Sequence, residues 1–150
     1  MGYVVFHMEK ARGSDSAMTA HIERMSHPKN ADESRTHLNR TLIEYPEGVK
    51  DRTAAIQHRL EHAGLKRKIG NNQVRAIRIN LSGSPEDMAR IEAAGQLDAW
   101  CTDSLQYLFD TFGRENIVSA HLHMDEKTPH IHATLVPIVQ AAPSSATGPT

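Results

Sequence analysis

Between Ala120 and Ile138, apolar and polar residues alternate on both sides of one short turn, and this stretch limits the possible folds more than any other. In extended backbone, period two points His121, His123, His130, His132 and Thr134 one way, and Leu122, Met124, Ile131, Ala133 and Leu135 the other. Such a hairpin offers one face to a core and gathers imidazoles on the opposite face. His-x-His on a strand aims both rings the same way, and a third ring from the next strand completes a set suited to divalent Mn, Fe, Ni, Cu or Zn. Three neutral ligands leave coordination positions open, which suits a Lewis acid acting on an anionic phosphate. A single histidine is usually a plain surface residue, but four on one hairpin face exceed what a sheet needs. His121, one strand pair further from the turn, reads as an outer neighbour or a polar strand residue. Asp125 and Glu126 are ligands, partners of a ring N–H or turn formers, with the outer role favoured. Glu126, ionised beside a cation, is better placed to orient a ring or accept a proton than to donate one.

The chain has 150 residues, enough for one domain whose core needs no staples. Its single cysteine, Cys101, excludes an internal disulfide framework and a multi-cysteine zinc site. No apolar run approaches a membrane span and the N-terminus is not signal-like, so a cytoplasmic location is expected. The net charge of −1 is divided unevenly. Residues 1–82 carry 14 Lys/Arg against 9 Asp/Glu, and residues 83–150 carry 3 against 9. A basic first part can follow phosphates while an acidic second part covers the back or favours a cation.

Along the chain, Tyr3 to Met8 reads as a short buried strand and Ser14 or Asp15 as the cap of a helix reaching about Ser26, ahead of Pro28. His21 and Arg24 stand three apart on that helix and can face one ligand. The segment 28–35 reads as a loop and 37–45 as a short strand. Val49, Thr53, Ile56, Leu60 and Ala63 predict a helix stopped by Gly64. Lys66-Arg67-Lys68 then leads into a strand over 74–82. From Ser84-Pro85, one apolar face running through Ile91, Ala94, Leu97, Cys101, Leu105, Leu108 and Phe112 predicts a single long helix ended by Gly113. Strands over 116–124 and 130–139 close the domain. This order predicts an α+β fold, a mixed or antiparallel sheet with helices on one side and an open ligand face. Residues 1–140 form the domain, and 141–150 have the composition of a flexible linker.

His123-x-Asp125-Glu126-x-x-Pro129-His130-x-His132 resembles the third motif of the Mob/Pre (MobV) plasmid mobilisation relaxases, with six specified residues at the right spacing. His21-Ile22-Glu23-Arg24 resembles the first motif and Asn39-Arg40-Thr41-Leu42 the second. Ile22 stands where many relatives carry a polar residue. The resemblance covers nearly everything from Tyr3 to Val139. It implies a five-stranded antiparallel sheet with His-hydrophobic-His on the central strand. It also implies a nickase for single-stranded DNA at a plasmid origin of transfer, covalently joined to the 5′ phosphate. By the same resemblance His123, His130 and His132 hold manganese or magnesium, and His21 is the nucleophile. A neutral imidazole attacks phosphorus without first losing a proton, and the phosphoramidate can be resealed. Arg24 is expected to clamp a nonbridging oxygen or align the substrate, and Glu126 to orient the attacking ring. Tyr45 is the competing nucleophile, since most related relaxases attack with tyrosine.

Lys66, Arg67, Lys68, Arg75 and Arg78 are the expected phosphate contacts, with Asn39 and Arg40 near the nick. Few aromatics are present for base stacking, so specificity is expected from hydrogen bonds and a hairpin shape in the DNA. The resemblance implies a longer protein that dimerises through a C-terminal region. Two other classes fit a three-histidine site less well. A small-molecule oxygenase or hydrolase needs a deep apolar pocket, and a regulatory DNA-binding module needs a closed structural metal.

Overall fold

The computed structural model describes residues 4–26, 28–64 and 74–138. Five strands, β1 (Val4–Arg12), β2 (Arg40–Thr41), β3 (Val74–Gly83), β4 (Ile117–His123) and β5 (His130–Leu135), form one sheet in the order β1-β3-β5-β4-β2. Every pairing is antiparallel. The strand bearing His130-Ile131-His132 is therefore the central one.

Period two divides this sheet as the sequence predicts. Ile79, Leu81, Leu122, Ile131, Ala133 and Leu135 point to one face. There they pack with Met88 of α3 (Pro85–Ala93) and with Leu97, Cys101 and Leu108 of α4 (Leu97–Phe112). Each fully buried aliphatic side chain contributes about 1.5–3 kcal/mol, so this dry layer carries most of the hydrophobic stabilisation. The opposite face is not bare. Helices α1 (Ser16–Ile22) and α2 (Arg52–Glu61) lie against it, because Ala11, Ala76 and Val136 make an apolar corner for Ile56. The histidines occupy what remains open.

Several boundaries differ from expectation. The single long helix is two, because Gly95, at φ 69°, closes a Schellman turn in which Gln96 N–H bonds Ile91 O. The apolar repeat runs unbroken across that turn, so periodicity alone hid it. β1 is longer than Tyr3–Met8 and is an edge strand; Phe6 and Met8 are 37% and 41% exposed rather than buried. The expected strand over 37–45 shrinks to Arg40–Thr41, and Glu33–Leu38 is a 3-10 helix. That segment braces the hairpin turn: Asp32 N–H bonds Asp125 O, and Arg35 Nε donates to Met124 O. Helix α1 stops at Ile22, four residues short of Ser26. Asp51 caps α2 by accepting from Ala54 N–H, and Ser84 caps α3 from Asp87 N–H.

Candidate metal centre

Register sets the histidines. His123 pairs with His130 and His121 with His132, so the rings of 123, 130 and 132 meet with centroids 4.9–5.3 Å apart. One nitrogen from each lies within 4.8 Å of the others. The second nitrogens fix the tautomers. His123 donates Nε2–H to Ile22 O at 2.8 Å, and His130 donates Nδ1–H to Thr128 O at 2.8 Å. His123 Nδ1, buried and without a hydrogen-bond partner, and His130 Nε2 therefore present lone pairs to one point. Burial pushes His132 down to about 3 and also lowers His130, so both are neutral at neutral pH. Three converging lone pairs, one of them otherwise unsatisfied, fit a divalent cation such as manganese.

Around this point lies a carboxylate–guanidinium cluster. Glu126 Oε2 is 3.5 Å from His123 Nδ1 and 3.6 Å from His130 Nε2. His123 first, then His130 and Arg24, hold its carboxyl down at about 2. Burial pushes Asp125 up, but hydrogen bonds from Arg24 and Thr36 prevail and keep it ionised far below the usual range. Arg24 Nε and Nη2 grip Asp125 at 2.9 Å, Nη2 reaches Glu126 at 2.7 Å, and Nη1 donates to His21 O at 2.7 Å. The donors expected on a phosphate oxygen are thus engaged inside the protein, and Arg24 ties the α1 segment to the metal turn. It does so from a left-handed backbone, φ 59°, at the place where a helix usually ends in glycine. That strain costs about 1–2 kcal/mol, which the buried ion pairs offset.

His21 sits on the last turn of α1, one residue from the carbonyl that receives His123. Burial first, and then the positive Arg24, lowers its pKa, so its lone pair is free at neutral pH. Tyr45 is differently placed. Its hydroxyl donates to Glu23 Oε2 at 2.6 Å and lies 3.2 Å from both Ser119 Oγ and His121 Nε2. Burial and Glu23 push the phenol up, so its proton is held. His121 is thereby an outer neighbour.

The expected DNA contacts scatter. Asn39 Oδ1 accepts Met124 N–H at 2.6 Å, so its side chain secures the end of β4 while lining the cleft. Arg40 pairs with Asp98 on the rim of that cleft. Arg78 leans toward Glu9 and Asp15, at 3.8 and 3.9 Å, and Arg75 lines a neighbouring groove. Lys66, Arg67 and Lys68 fall outside the described residues. Nothing local in the sequence marks Arg52. It is fully buried on the histidine face, donating to Thr134 Oγ1 at 2.7 Å, Thr19 Oγ1 at 3.1 Å and Asp15 Oδ2 at 2.9 Å. Only the strand parity of Thr134 hinted that something polar would meet that face.

A family model described as Mob_Pre, plasmid recombination enzyme, matches residues 1–148. The chain belongs to this family. It is 32% identical over 139 residues to a 65 kDa protein of Zymomonas mobilis, covering 90% of this chain and 23% of that one. It is 25% identical to the plasmid recombination enzyme type 1 of Staphylococcus aureus, covering 93% of this chain and 36% of the relative. The chain thus spans about a quarter to a third of the curated relatives' length. Among solved structures, it superposes with a TM-score of 0.79 on the Mn-bound MobM relaxase domain (MOBV; Mob_Pre) bound to 22-nucleotide plasmid pMV158 oriT DNA. That match has 26% identity and covers 95% of this chain and 76% of the other. Family and fold agree with the resemblance drawn from the three motifs.

Proposed function

We propose that residues 1–140 are the nicking domain of a plasmid relaxase, acting on single-stranded DNA at an origin of transfer. The observation that carries this is the convergence of three imidazoles beside a fourth, His21, held by Arg24 to the same turn. His123, His130 and His132 would hold the divalent ion, which when bound supplies positive charge to a scissile phosphate. His21 then attacks phosphorus, the bond to the 3′ oxygen breaks, and that oxygen takes, through water, the proton that the phosphorylated imidazolium sheds. A histidine–5′-phosphate adduct remains, and the 3′ hydroxyl can reverse it. Arg24 is a positioning residue in this scheme, and Glu126, whose carboxylate lies beside the nitrogens of His123 and His130 that would face the ion, would sit next to the ion rather than orient His21. Support for the substrate comes from the MobM domain's oriT DNA and from the basic first part of the chain.

Among the described residues no helix is long and apolar enough to cross a membrane. We infer action in the bacterial cytoplasm, recognition of a DNA hairpin, and dimerisation through residues beyond this chain. The test is nicking of oligonucleotides tiled across the transfer origin of its own plasmid. Cleavage should require manganese or magnesium, stop with chelator, and vanish in His21→Ala while DNA binding persists. Metal-independent cleavage, or cleavage surviving His21→Ala, would overturn the scheme.

A further inference from the structure

The turn that follows α1 leaves one apolar side chain unaccounted for. Arg24 N–H bonds His21 O at 3.4 Å and Met25 N–H bonds Ala20 O at 2.8 Å, the paired bonds of a Schellman turn with Arg24 in the left-handed position. An apolar residue in the place of Met25 ordinarily folds back onto the helix. Here it does not. Met25 is 64% exposed, more than any other large apolar side chain among the described residues, with Tyr107 next at 54%. Its backbone is fixed on the N-terminal side by the Arg24 grip on Asp125 and Glu126.

Met25 also stands where two depressions meet. It lines the cleft that holds His121, His123 and Tyr45, about 440 Å³ in volume, and it lines the adjoining groove that holds Ser16, Gln57 and Arg75. Lys50, exposed, is shared by the same two depressions. A DNA strand running from one into the other meets both a rigidly based thioether and an ammonium group. A thioether is polarizable and packs well on flat π faces, and apolar side chains at such ridges contact or separate nucleobases. An ammonium neutralises the adjoining phosphate.

We propose that Met25 is a substrate-contacting residue that packs on a nucleobase next to the scissile phosphate, with Lys50 holding that nucleotide's backbone. The proposal rests on the DNA-nicking reading above. The experiment compares two probes on the intact protein with manganese present: an oligo(dT) 20-mer, and a 20-mer of abasic residues that keeps the phosphates and lacks the bases. Met25→Ser should weaken binding to the dT probe about five-fold and leave the abasic probe within two-fold, and Met25→Leu should restore the dT affinity. Lys50→Ala should weaken both probes alike and flatten the salt dependence by about one contact. Equal loss on both probes in Met25→Ser, no loss on either, or failure of Met25→Leu to restore binding would overturn the base contact while leaving the nicking reading intact. Wild-type protein that binds neither probe would likewise overturn the base contact, whereas the nicking reading falls only with the origin-tiled oligonucleotides.

Discussion

The two faces of β5 are built from alternate residues of one six-residue strand, yet they use opposite physics. Ile131, Ala133 and Leu135 face a layer whose neighbours are almost all hydrocarbon, where stability follows area and shape. His130, His132 and Thr134 face a layer of polar groups held by specific partners, Thr128 for His130 and Arg52 for Thr134, around one buried imidazole nitrogen, His123 Nδ1, that has none. The dry face holds the strand in place and the wet face decides what it does. Changes on one face should therefore alter stability, and changes on the other should alter chemistry.

The sharpest attempt to break this division is His132→Ala. Nicking should fall by roughly three orders of magnitude, several kcal/mol of lost transition-state stabilisation, while the circular dichroism spectrum and melting temperature stay near wild type. Collapse of the fold would make the site structural and erase the distinction. On the dry face, Ile131→Ala should cost about 2–5 kcal/mol in urea unfolding, with manganese affinity of the folded fraction unchanged; loss of metal affinity without loss of stability would reverse the roles. Arg24→Ala should reduce manganese affinity or nicking about 10–100-fold by freeing Glu126 and Asp125. Arg24→Gly should be as inactive yet about 1 kcal/mol more stable than the alanine variant, because glycine accepts the left-handed backbone. Equal stability of the two variants would show that the turn is unstrained.

The last effect concerns pH. Burial, then the charges of His123 and Arg52, lower His121 to about 4 in the folded protein. The unfolded chain binds this proton from about pH 6.5, so between 6.5 and 4 the unfolded state holds more protons and stability falls as the solution is acidified. His121 contributes roughly 2 kcal/mol to the fall from pH 7 to 4.5 by this linkage. His121→Gln should flatten the stability curve of the metal-free protein across that window, and an unchanged slope would show that the ring is not buried in its neutral form.

The contrast between faces also explains what could be read in advance. Strand parity depends only on local backbone geometry, so the clustering of His123, His130 and His132, the apolar layer and the outer place of His121 are legible in the hairpin sequence. Motif spacing brought His21 and Arg24 to attention. What escaped depends on tertiary partners. Arg52 lies in an amphipathic helix where nothing local marks it as buried, and only Asp15, Thr19 and Thr134, from distant segments, make its burial tolerable. The left-handed turn at Arg24 lies where the periodicity predicts a continuing helix, because the conformation is offset by Asp125 and Glu126 about a hundred residues away. The break at Gly95 was signalled by the glycine itself and masked by an apolar repeat that ran through it.

The central claim is that the polar layer delivers a neutral imidazole, not a phenol, to phosphorus. Mapping the adduct formed with single-stranded origin DNA and manganese tests it directly. An acid-labile phosphoramidate on His21, absent in His21→Ala, is the expected result. An acid-stable phosphate ester on Tyr45 would contradict it.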